Sequence, residues 1–113
     1  MAPKIKTNAI FLQKVYKGPG KVRKHLISKA NTNQVKALCE CALNVCSGRV
    51  KSKNPQHLKR LKRKEGDLLR LAYAKDPIAT KKAILLQSGG ALPILASLGL
   101  SALGSLLPSL FGR

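Results

Sequence analysis

Glycine and proline interrupt this chain at Gly18-Pro19-Gly20, Asn54-Pro55, Asp76-Pro77 and Ser88-Gly89-Gly90, and these breakers limit it to short elements. Between them the apolar residues recur at three- and four-residue intervals, the spacing of one helix face. Val22, Leu26 and Ile27 line a short helix over Lys21 to Ala30, with Arg23, Lys24 and Lys29 left to water. Asn31-Thr32-Asn33 offers cap side chains for the best-defined helix, in which Val35, Leu38, Cys39, Ala42, Leu43 and Cys46 share a face until Gly48 stops it. Pro55 opens a third helix to about Lys75, apolar at Leu58, Leu61, Leu68, Leu69, Leu71 and Ala72 and weakened in its middle by Gly66. Asp76 and Pro77 read as cap and first position of a fourth, ending near Gln87 and carrying Ile78, Lys81, Lys82, Ile84 and Leu85.

The expected fold class is therefore all-α. A small bundle of short basic helices over residues 19–87 follows a basic arm over residues 1–18, in which Lys4, Lys6, Lys14 and Lys17 surround Ala9, Ile10, Phe11 and Leu12. Residues 88–113 form a Gly-Gly hinge and a separate hydrophobic helical tail. From Ala91 to Gly112 no residue is charged, and as one helix this stretch would be roughly 33 Å long, about the hydrocarbon thickness of a bilayer. Pro93, Gly99, Gly104 and Pro108 lower its helix propensity, while Ser97, Ser101, Gly104 and Ser105 fall on one face. Leu92, Leu95, Leu98, Leu103, Leu106, Leu107, Leu110 and Phe111 are its candidates for membrane insertion or for packing against the body or another copy.

Charge bears on partners. The chain carries 22 Lys plus Arg against 4 Asp plus Glu, a formal net charge of +18, so a partner must supply negative charge. Arg49, Lys51, Lys53, Lys59, Arg60, Lys62, Arg63 and Lys64 place eight cations within sixteen residues. Like charges at neighbouring helical positions repel, whereas phosphates neutralise them and release counterions. These eight, with Arg70, Lys81 and Lys82, are the candidate nucleic-acid contacts, assisted by Lys21, Arg23 and Lys24. Trp is absent, Phe11, Phe111, Tyr16 and Tyr73 are the only aromatics, and neither a zinc-finger spacing nor a heptad array is present. That composition favours phosphate contacts over base reading. Lys59 to Lys64, KRLKRK, also suits a nuclear localisation signal.

Little here serves catalysis, and the chain is expected not to be an enzyme, with no catalytic residue, cofactor or metal. His25 and His57 stand in no motif with a nucleophile or carboxylate, and Glu40, Glu65, Asp67 and Asp76 read as ion-pair partners or caps. Cys39, Cys41 and Cys46 are too few for tetrahedral zinc, and two of them diverge by ~200° on a helix, so small core roles in a reducing compartment are expected. Met1 to Tyr16 has no continuous apolar core before a small-residue cleavage site, so secretion is not expected.

Leu86-Gln87-Ser88-Gly89-Gly90-Ala91-Leu92-Pro93-Ile94-Leu95, after a basic region and before a leucine-rich tail, resembles the precursor of the adenovirus core peptide mu. Gln34 to Glu40, with Ala42-Leu43-Asn44-Val45 and Gly48, is similar to the small basic proteins of Polinton/Maverick and adintovirus elements. The resemblance implies a virion core protein that condenses DNA, resident in the virion and the host nucleus. It also implies cleavage after Gly90 by a viral-type protease, with Gly89 and Gly90 in the recognition sequence. The chain departs from mu in being rich in Lys as well as Arg and in its Cys-bearing helix, which adds a capsid protein to the expected partners. From the residues alone a second class stays open, a membrane-active or membrane-anchored protein whose tail inserts while the polybasic body holds anionic head groups.

Overall fold

The computed structural model describes residues 3–50 and 52–101. Lys51 lies outside them, as do the tail positions Leu103, Leu106, Leu107, Leu110 and Phe111. Among the described residues the chain forms α-helices and no strand: α1 (Pro3–Thr7), α2 (Ala9–Lys17), α3 (Gly20–Ser28), α4 (Thr32–Cys46), α5 (Pro55–Arg63), α6 (Glu65–Tyr73), α7 (Ile78–Gln87) and α8 (Ala91–Ser101). The all-α fold expected from the breakers and the helical spacing is what forms.

Local chemistry sets the helix ends. Asn31 Oδ1 accepts from the Gln34 amide at 2.8 Å while Gln34 Oε1 accepts from the Asn31 amide at 2.9 Å, a reciprocal cap that starts α4. At its other end Gly48 adopts φ +79°, and the amides of Gly48 and Arg49 donate to the carbonyls of Val45 and Asn44, closing a Schellman turn that needs a left-handed residue. Asn54 caps α5 by accepting from the amides of Gln56 and His57, with Pro55 in the first turn.

Two helices make the centre. α4 buries Val35, Ala37, Leu38, Cys39, Cys41 and Ala42, which lie around most of its circumference, because α1, α6, α7 and α8 all pack on it. α8 lies against α2, α4 and α5 and buries Ala91, Leu92, Ile94, Leu95, Ala96 and Leu100. Each fully buried Leu or Ile contributes about 1.5–3 kcal/mol relative to leaving it in water.

Four expectations need correction. The segment read as a basic arm is α1 and α2, whose Ile5, Leu12 and Val15 are fully buried while Lys6, Lys14 and Lys17 point to water. The lysines hid an amphipathic pattern whose apolar face needs a partner, which is α4 for α1 and α8 for α2. The described part of the tail is correspondingly not separate from the body: Leu92 and Leu95 are core residues and Leu98 is half-buried. Among the described residues no single helix is long and apolar enough to cross a membrane; α7 and α8 reach that length and apolarity only together, and they meet at 110° across the Ser88-Gly89-Gly90 turn.

The third helix is broken at Lys64, which ends α5 and precedes α6. Arg60, Lys62 and Arg63 stand in the last turn of α5 and Glu65 and Asp67 in the first turn of α6, each charge on the side its helix dipole favours. Asp76, finally, does not cap α7. Its carboxylate accepts from Arg70 Nε at 2.8 Å and Nη2 at 3.4 Å, and Pro77 stands at the cap position.

Candidate nucleic-acid interface

α5 turns a single buried side chain, Leu61, toward the core. At about 100° per residue, Lys59, Arg60, Lys62 and Arg63 spread over the side opposite Leu61, and all four are exposed. Lys59 and Arg63 are four positions apart, and Lys59 to Lys62 and Arg60 to Arg63 are three, so neighbouring cations repel along the face. None of these four side chains has an ion-pair or hydrogen-bond partner among the described residues, and neither do the exposed side chains of Arg49 and Lys53 in the segment joining α4 to α5. The face is a row of uncompensated charge on an ordered helix.

The other sequence candidates are engaged elsewhere. Lys64 Nζ donates to the Gln87 carbonyl at 3.1 Å, and Lys82 Nζ donates to the Ser28 carbonyl at 3.3 Å. Arg23 Nη1 likewise donates to the Gly18 carbonyl at 2.8 Å. These three cations stabilise the carbonyl-rich ends of α7, α3 and α2. Arg70 is half exposed but paired with Asp76, the one ion pair among the described residues. Lys81 lines a cleft with Lys4 and Lys36, away from the α5 face.

Gly89 and Gly90 form the exposed turn between α7 and α8, with Gly89 at φ +51°. Their neighbours are held: Ser88 is fully buried with its hydroxyl donating to the Ile84 carbonyl at 2.9 Å, and Ala91 is buried. A Cβ at Gly90 would stand 4.0 Å from Arg60 Cδ, so the cationic helix runs past this turn.

Cys39 and Cys41 are both buried although they project to opposite sides of α4, because helices cover both sides; Cys46 is half-buried. All three are free thiols, and burial pushes each above the ordinary thiol value, Cys41 the furthest. Among the described residues no group of three or more His, Cys, Asp or Glu stands together as a metal site would need.

No protein-family model, curated protein or solved structure matches this chain.

Proposed function

We propose that this chain binds double-stranded DNA without reading its bases and condenses it as a virion core protein, through the α5 face and the segment leading into it. The observation that carries the reading is the exposed set Lys59, Arg60, Lys62 and Arg63, opposed to buried Leu61 and without counter-charge. A face of this kind is relieved of self-repulsion when it meets phosphates and releases their counterions. Arg49 and Lys53 extend it, and Lys51 belongs to the same run of sequence. In this reading the resemblance to mu and to the Polinton/Maverick and adintovirus proteins supplies the setting: virion and host nucleus, contact with a capsid protein, and cleavage after Gly90. The exposed Gly89-Gly90 turn supports the last of these, and a fragment ending at Gly90 is the expected product of a cognate protease.

Because α8 belongs to the core, the test uses the full chain. It is titrated against two unrelated random-sequence duplexes across a salt series. The expected log-log slope is the same for both, about −0.9 for each phosphate neutralised, and the variant carrying Lys59→Gln, Arg60→Gln, Lys62→Gln and Arg63→Gln loses about 3–4 units of it. Absence of binding, or a slope that the variant leaves unchanged, overturns the proposal.

A further inference from the structure

On α4, Lys36, Cys39, Glu40 and Leu43 share a face roughly opposite the one on which Cys41 meets α8. That face opens into a cavity of about 200 Å³, completed by Lys4 of α1, Leu71 and Ala72 of α6, and Lys81 of α7. Lysines from three different helices thus line one cleft. Lys4 Nζ donates to the neutral Asn33 side chain at 2.9 Å, which leaves its charge uncompensated, and the side chains of Lys36 and Lys81 have no hydrogen-bond or ion-pair partner among the described residues. Glu40 is the lone acid there. It is taken up by the Ile5 amide, which donates to Oε2 at 3.3 Å, and it forms no ion pair with any of the three lysines.

Three positive charges against one negative leave an excess of two. The lysines border an open depression whose lining also includes the apolar side chains of Leu43, Leu71 and Ala72. A ligand complementary to this arrangement carries two negative charges on one compact group and an apolar body beside it. A phosphomonoester at neutral pH has a charge of about −1.5 to −2, whereas a phosphodiester or a carboxylate has one.

We propose that the cleft between α1, α4, α6 and α7 is a binding site for a phosphomonoester, with Lys4, Lys36 and Lys81 holding the phosphate and Leu43, Leu71 and Ala72 receiving the organic group. The site is distinct from the α5 face and does not rest on the DNA-binding reading. The phosphomonoester comes either from a free nucleotide or from the 5′-phosphate at a DNA end.

The test is calorimetric titration of the full chain with deoxyadenosine 5′-monophosphate, its 3′,5′-cyclic diester and deoxyadenosine. The monoester binds tightest, and Lys36→Gln with Lys81→Gln weakens it by about tenfold or more, the loss of two charge-assisted hydrogen bonds. Lys17→Gln with Lys29→Gln removes the same charge from elsewhere and leaves the affinity as it was. Short duplexes with and without 5′-phosphates form the second arm; a preference for phosphorylated ends that disappears in the cleft variant, without binding of the free nucleotide, assigns the source to DNA ends. The proposal fails if neither the nucleotide nor the phosphorylated duplex is preferred, or if both double variants weaken binding equally. Circular dichroism of each variant verifies that it is folded.

Discussion

A Cβ placed on Gly99 would collide with Cys41 Sγ and stand 3.3 Å from Cys41 Cβ, so α8 crosses α4 where a glycine faces a small thiol. This contact sets how closely the two central helices approach, and Ile5 of α1 closes it, its Cδ1 3.8 Å from the same position.

Gly99→Ala is therefore expected to destabilise the fold by about 1–2 kcal/mol, overpacking outweighing the better helix propensity of alanine. Cys41→Ala removes the colliding sulfur. The double variant should lose less than the sum of the single losses, a coupling that thermal denaturation of all four proteins measures. Strict additivity would mean that the helices re-pack without this contact.

Stability should also fall in alkali. Burial raises the Cys41 thiol above its ordinary value, and the nearby Glu40 and Cys39 add to the rise. Above about pH 8.5 the unfolded chain releases a proton that the folded chain retains, so stability is complete below that range and declines as pH rises through it. The decline from one such group approaches about 1.4 kcal/mol per pH unit. Urea unfolding between pH 7 and pH 10 should show a shallower decline for Cys41→Ala than for the natural sequence. Parallel curves would assign the alkaline loss to other groups.

Asp76→Asn tests how charge is apportioned over the surface. The substitution releases Arg70 from its carboxylate partner and removes one negative charge close to α6. On the DNA-binding reading, duplex affinity rises, and the salt dependence steepens by up to about 0.9 if Arg70 then reaches a phosphate. Unchanged or weaker binding in the same titration would place Arg70 away from the bound duplex.

Much of the local structure was legible before any tertiary contact was considered. Asn31, Asn54 and Gly48 act on backbone groups within a few residues of themselves, so their roles as start and stop signals follow from residue type and position. The exposure of Lys59, Arg60, Lys62 and Arg63 opposite Leu61 follows in the same way from helical periodicity. The misread elements depended on distant partners. Lysines at positions 4, 6, 14 and 17 suggested an arm, but whether Ile5, Leu12 and Val15 bury depends on α4 and α8 packing beside them, the latter some eighty residues away. Asp76 had two uses open to it, and the guanidinium of Arg70 took it from the cap.

The sequence by itself determined that this chain is helical, where most of its helices begin and end, and that its net charge is strongly positive, because propensity, capping and net charge are local or summed quantities. Tertiary structure alone decided that α8 is a core helix, that Gly99 meets Cys41, that Lys64 and Lys82 cap other helices, and that Lys4, Lys36 and Lys81 share one cleft. Each of these joins residues far apart in the chain. Such contacts form only when several amphipathic faces are buried together, so no single segment encodes them.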